Sequence, residues 1–139
     1  MTIRMLQPED AASASALDPI WIPEAFLDSH RLALVVEAPV GSIGGWLLFS
    51  VIPPEAEILN VVVAPEWRQQ GLATALLQAG LDRLVQARVS RVWLEVRESN
   101  IPAQRLYRRF GFTQAGRRPQ YYQHPAEDAL LLETILTLC

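Results

Sequence analysis

The chain has 139 residues, half of them apolar and 19% charged, with a formal net charge of −3. That length fits a single domain, residues 1–139, with a core of its own. No apolar run reaches the ~20 residues a membrane helix needs, and the charge is too mild for a nucleic-acid binder.

Taken in chain order, Ile3-Arg4-Met5-Leu6 predicts a short strand. Gln7-Pro8-Glu9-Asp10 predicts a helix start, with proline in the first turn and acids where the helix dipole favours them. Pro23 to His30 forms a second short helical candidate, and residues 32–37 a strand. Pro39, Gly41 and Gly44-Gly45 punctuate the route into a strand from Trp46 to Val51, which Pro53-Pro54 closes. Another strand runs from Ala56 to Val63. In residues 71–88, Leu72, Ala73, Leu76, Leu77, Leu81, Leu84 and Val85 recur at helical spacing and predict a long amphipathic helix. Arg91 to Arg97 reads as a strand, and Pro102 to Arg109 as a short helix stopped at Phe110-Gly111. Phe112 and residues 128–138 finish as strands. The order β-α-α-β-β-β-α-β-α-β-β predicts an α/β (mixed α+β) fold, a central mixed twisted sheet with helices on both faces.

Charge is unevenly spread. Residues 1–67 carry nine carboxylates and two arginines; residues 68–139 carry ten arginines and six carboxylates. Either one half attracts cations while the other holds a polyanion, or the charge is scattered surface charge. There is no lysine, and arginine suits bidentate phosphate recognition. Cys139 is the single cysteine, which excludes an intrachain disulfide. Met1-Thr2-Ile3-Arg4 lacks the basic-then-apolar order of a signal peptide. Both point to the cytoplasm. His30 and His124 lack a Cys or His partner at metal-ligand spacing, so no metal is expected. Trp21, Trp46, Trp67 and Trp93 are expected to pack rather than to cage a ligand.

Two segments carry chemistry. In the first, the apolar strand Ile58-Leu59-Asn60-Val61-Val62-Val63 runs through Ala64-Pro65 into Arg68-Gln69-Gln70-Gly71-Leu72-Ala73-Thr74 and the long helix. A helix start exposes unpaired N–H groups and about half a positive charge. Gly71 and Ala73 leave room for a diphosphate, and Arg68 adds a cation. The plain alternative is a structural strand-to-helix turn. The second segment is Leu94-Glu95-Val96-Arg97-Glu98-Ser99-Asn100, followed by Ala103-Gln104-Arg105-Leu106-Tyr107 and Gly111-Phe112.

Together these segments resemble the conserved blocks of the GNAT family of N-acetyltransferases, closest to its ribosomal-protein alanine N-acetyltransferase (RimI-like) branch. The resemblance covers residues 46–134 and fades before residue 45. It implies the acyl-CoA N-acyltransferase fold and acetyl-CoA as cosubstrate. Val61, Val62 and Val63 would pair with the pantetheine arm. Arg68, Gln69, Gln70, Gly71, Leu72, Ala73 and Thr74 would hold the diphosphate. Asn100 would touch the coenzyme, cap the following helix, or do both. Glu95 would be the general base and Tyr107 the general acid, against the alternatives of a solvent-facing strand carboxylate and a packed ring. Asn60 would bind the acceptor or pair with sheet backbone. Tyr121 and Tyr122 would wall the acceptor channel or fill a hairpin. Arg105, Arg108, Arg109, Arg117 and Arg118 would meet the 3′-phosphate or an acidic partner, or stay solvated.

The implied reaction is acetyl transfer to a primary amine, foremost the N-terminal α-amine of a ribosomal protein, by a monomer or weak homodimer. An α-amine ionises near pH 8, so about a tenth is neutral at pH 7; a lysine amine, near 10.4, demands about 3.4 kcal/mol more. Acetylation of a lysine or a small amine is the alternative, and a non-catalytic CoA-binding module is a further one.

Overall fold

The computed structural model describes residues 1–18 and 29–136. Its elements are β1 (Ile3–Met5), a 3-10 turn (Pro8–Asp10) leading into α1 (Ala11–Ser15), β2 (Arg31–Glu37), β3 (Ile43–Ile52), β4 (Glu55–Val63), α2 (Leu72–Gln86), β5 (Arg91–Arg97), α3 (Ile101–Arg109), β6 (Thr113–Tyr122) and β7 (Glu127–Ile135). Residues 23–28 of the expected second helix lie outside the described residues, as do Trp21 and Cys139; Ser29 and His30 form a turn. Among the described residues no helix is long and apolar enough to cross a membrane.

The strands form one mixed sheet in the order β1-β2-β3-β4-β5-β7-β6. Every neighbouring pair is antiparallel except β4 with β5. Alternation along β2 and β3 divides the core in two. Leu34, Val36, Leu47 and Phe49 bury against Leu76, Leu77, Leu81 and Leu84 of α2. Ala33, Val35, Trp46 and Leu48 face the other way, with Ala14 of α1. Burial on both faces explains why Leu32-Ala33-Leu34-Val35-Val36 reads as an unbroken apolar run rather than an alternating one. Each buried leucine contributes roughly 1.5–3 kcal/mol relative to exposure. At Gly80 the helix presses on the sheet: a β-carbon there would come within 2.7 Å of Leu47 and Phe49 side-chain atoms.

Two expectations are corrected. Gly44-Gly45 lies inside β3 rather than before it. A β-carbon on Gly45 would sit 2.6 Å from the Val62 carbonyl oxygen, so the glycine permits close strand approach instead of a turn. Between Phe112 and residue 128 there is a full ten-residue strand, β6. It is a polar edge strand with Pro119 within it, so no apolar alternation announces it.

The N-terminal strand is tied down electrostatically. The Arg4 guanidinium donates to both carboxylate oxygens of Asp10, at 2.7 and 2.9 Å, and to Glu37. The Gln7 N–H donates to Asp10 Oδ2 at 2.7 Å. The hydrogen bond from Arg4 is the main cause that holds the Asp10 carboxyl below the usual aspartate range. A depressed carboxylate stabilises the fold above the unfolded value, near 3.9, and loses that contribution as pH falls through the folded value. Asp10→Asn is therefore expected to lower urea-unfolding stability by about 1–3 kcal/mol at pH 7. The gap to wild type should narrow below about pH 4; equal stability at pH 7 would rule the cluster out as an anchor.

Candidate functional site

The parallel pair β4–β5 is short. It runs from Glu55↔Arg91 to Ile58↔Leu94 and then stops. Beyond that point β4 continues to Val63, paired on its other edge with β3, and β5 continues to Arg97, paired with β7. A wedge therefore opens in the middle of the sheet. It starts beside a β-bulge: Leu48 opposes Asn60 and Phe49 opposes Ile58, which leaves Leu59 without a partner residue.

Two adjoining cavities fill the wedge, sharing Val61, Asn100 and Ala103 as walls. The larger, about 860 Å³, lies at the start of α2. Val61, Val62, Val63, Arg68, Gln69, Gly71, Leu72, Ala73, Thr74 and Asn100 line it, as expected. Gln70 does not. Trp67, Pro102 and Leu106 line it without having been anticipated. Its charged lining residues are Arg68 and Arg109, with no carboxylate. Gly71 has φ +75°, and a β-carbon there would meet nothing within 4 Å. Gln69 also has positive φ, 63°. Two left-handed residues fold the backbone over the first amides of α2, a geometry suited to an anion. Arg68 Nε donates to the Val63 carbonyl at 3.1 Å, joining the turn to the strand.

The smaller cavity, about 540 Å³, contains Glu95, Tyr107, Asn60, Tyr121 and Tyr122 of the expected residues. On β5, Val92, Leu94 and Val96 pack into the core beneath α2, so Glu95 takes the opposite face. Its side chain is 11% exposed. Oε2 is buried without a hydrogen bond, and its nearest cation is Arg118 Nε at 3.4 Å. Tyr107 arrives from α3, on the side of α2, and is 5% exposed. Its ring lies 5.6 Å from that of Phe112. Burial pushes its phenol well above the ordinary range, so it stays protonated at neutral pH. Burial, then the charge of Glu95, raises Tyr122 as well. Arg97 stacks over the Tyr122 ring at 4.4 Å, and Tyr121 meets Tyr122 edge-on at 5.1 Å.

Other expected residues have visible occupations. Asn100 caps α3, accepting from the Ala103 N–H at 3.2 Å, while lining both cavities. Asn60 accepts from the Val61 N–H at 2.9 Å and donates to Asp18 at 2.7 Å, so its amide is engaged locally. Of the five arginines assigned to the 3′-phosphate, an acidic partner or solvent, only Arg109 lines the larger cavity. Arg117 is paired with Glu98 and Asp128, and Arg105 and Arg108 are exposed on α3. Trp46 is fully buried and donates to the Ala14 carbonyl. A lining carboxylate of the smaller cavity went unnoticed in the sequence, Glu57. Burial, then the charge of Glu95, raises its carboxyl above the usual glutamate range. Its place between Ala56 and Ile58, on the strand that feeds the turn, was the available signal.

A cationic helix-start cavity joined to a carboxylate- and phenol-lined one can hold an acidic cosubstrate beside an amine. The chain belongs to the acetyltransferase (GNAT) family, whose sequence profile matches residues 3–112. A [ribosomal protein bS18]-alanine N-acetyltransferase of Escherichia coli (strain K12) is 37% identical over 94 residues, 66% of this chain and 64% of that relative. A Bacillus subtilis (strain 168) protein that carries the same name provisionally is 33% identical over 86% of this chain and 82% of its own. The crystal structure of the ribosomal-protein-S18-alanine N-acetyltransferase from Escherichia coli superposes with a TM-score of 0.88 at 28% identity, covering 99% of this chain and 95% of that one. Activity follows at the level of the family: the chain is an acetyl-CoA-dependent N-acetyltransferase of RimI-like type.

The Gly71 backbone gives a direct test of the turn. Gly71→Ala introduces no clash, only the left-handed penalty, and should cost about 1–2 kcal/mol in denaturant unfolding. Unchanged stability would show that this turn adopts another conformation.

Proposed function

We propose that this enzyme acetylates the N-terminal α-amine of a protein, a ribosomal protein foremost. Acetyl-CoA takes the larger cavity and the amine the smaller. One observation carries the reading: Glu95 and Tyr107 come from opposite faces of the sheet, yet line one cavity that adjoins the start of α2. The wedge is what lets them meet. The names of the relatives favour a ribosomal acceptor.

The lone pair of the neutral amine attacks the thioester carbonyl, and Glu95 takes the proton that the nitrogen sheds as the C–N bond forms and the C–S bond breaks. Tyr107, kept neutral by burial, donates to the departing sulfur. The turn from Arg68 to Thr74 and the cations Arg68 and Arg109 bind the phosphates; the free edge of Val61, Val62 and Val63 offers backbone groups to the amides of the pantetheine arm. Tyr121 and Tyr122 wall the acceptor side, and Asn60, held by Asp18, shapes it.

Steady-state kinetics on an alanine-initiated ribosomal peptide test this. Glu95→Gln should lower kcat at least tenfold, about 1.4 kcal/mol of transition-state stabilisation, with KM for acetyl-CoA unchanged. A rate unaltered from pH 6 to 9 would remove Glu95 from the mechanism. Tyr107→Phe should cost less than Glu95→Gln, because a thiolate leaves with little help. Faster turnover on free lysine or polyamines than on any N-terminal peptide would overturn the acceptor.

A further inference from the structure

Only a neutral amine carries the lone pair that attacks a thioester. At pH 7 an α-amine is about one-tenth neutral, and a lysine amine less than roughly one part in a thousand. Carboxylates favour the wrong form, because they hold an ammonium more firmly than an amine. Glu57 and Glu95 both line the 540 Å³ cavity, so uptake of the reactive form calls for an opposing charge.

The edge strand β6 supplies one. Across the sheet, Arg97, Ala129 and Arg118 stand in one row, and Glu95, Leu131 and Gly116 in the next row on the same face. Gly116 has no side chain, so Arg118 can lean back over the row of Glu95. Its Nε stands 3.4 Å from Glu95 Oε2, and its guanidinium lies 5.1 Å from the centre of the Tyr121 ring. The register of β6 shifts directly after it, between Arg118 and Tyr122. The neighbouring arginines are committed elsewhere: Arg97 to Glu127 at 3.0 Å, Arg117 to Asp128 at 2.7 Å and Glu98 at 2.9 Å. The Arg118 side chain is 58% exposed and makes no hydrogen bond to the buried Oε2. Its charge reaches Glu95, while that oxygen keeps its capacity to accept.

We propose that Arg118 is a specificity residue: by offsetting the charge of Glu95 it weakens the cavity's hold on an ammonium, and so favours acceptors that arrive neutral, α-amines over lysine side chains. The proposal rests on the proposed function and deepens it. An ammonium beside Glu95 meets a like charge in the guanidinium; a neutral amine does not. The other ionisable groups facing the site leave this balance in place. The Glu57 carboxyl of β4 is raised by burial and next by the charge of Glu95, with Arg31 of β2 and Arg118 opposing. Tyr107 of α3 and Tyr122 of β6 are both raised by burial and stay protonated.

The test compares two peptides by calorimetry on the full chain saturated with CoA. One is an alanine-initiated ribosomal peptide; the other is the same peptide with its α-amine replaced by hydrogen, a propionyl start. At pH 6.5 the first is roughly 97% ammonium, and at pH 9.5 roughly 97% neutral. In Arg118→Gln at pH 6.5 the amine peptide should gain about fivefold or more in Kd relative to the propionyl peptide, a modest figure because the guanidinium is half in solvent. At pH 9.5 that gain should vanish, and Arg118→Lys, which keeps the charge, should stay within about twofold of the wild-type ratio at either pH. A ratio unchanged at pH 6.5 overturns the proposal. So does an equal change at both pH values, which is what a merely structural lesion gives. If neither peptide binds the wild type, the peptide acceptor has failed, and the same question is put with ethylamine, a cation at pH 7, and trifluoroethylamine, neutral there because fluorine withdraws charge. Arg118→Gln should then raise kcat/KM for ethylamine about fivefold relative to trifluoroethylamine; an equal effect on both amines overturns the proposal.

Discussion

The molecule turns on a run of hydrogen bonds that is not made. Backbone N–H and C=O groups inside a sheet ordinarily find partners on both edges. Here β4 and β5 share four residue pairs, then part, leaving one edge of each strand free along the wedge. The parting is sustainable because each strand stays paired on its other side, β4 with β3 as far as Val63 and β5 with β7 as far as Arg97. The sheet is in effect two complete half-sheets hinged at a short parallel seam.

Charged groups pin both ends of that hinge. At the closed end Arg91 bridges three strands, donating to Glu55 at 3.2 Å and Glu133 at 2.7 Å. At the open end Arg97 binds Glu127 and the carbonyls of Gln123 and Pro125, while Glu127 accepts from the N–H and hydroxyl of Ser99. Gln104, buried in α3, donates to the carbonyls of Arg97 and Glu98 just past the end of β5. Exposed ion pairs contribute little singly. Their work is positional: they fix the strand ends so that Glu95 and Asn100 keep their places on the β5 side of the gap.

Local patterns were legible where they are local. The seven residues Arg91 to Arg97 alternate cleanly and form β5 with those bounds. The leucine stripe of residues 71–88 is α2, trimmed to Leu72–Gln86. The helix-start turn was readable from Gly71, and the structure shows why, since only a left-handed residue turns the chain there. What escaped was non-local or unpatterned. A polar edge strand such as β6 buries too little for its alternation to show. Gly44-Gly45 looks like a turn signal until the Val62 carbonyl is set against it. Glu57 reads as an ordinary strand carboxylate, because whether a neighbouring strand stays or departs is written nowhere near it.

The bulge at Leu59 works as a parity switch. Ahead of it, even-numbered β4 residues, Ala56 and Ile58, point into the core beneath α2; behind it, the odd-numbered Val61 does, while Leu59 and Val62 join the opposite core. A strand counted in strict twos from Glu55 would bury Asn60 under the helix and turn Val61 outward. One unmatched residue inverts that assignment and frees Asn60 for Asp18. Evolution or design can therefore exchange the inner and outer linings of this strand by gaining or losing a single position, without altering any residue type.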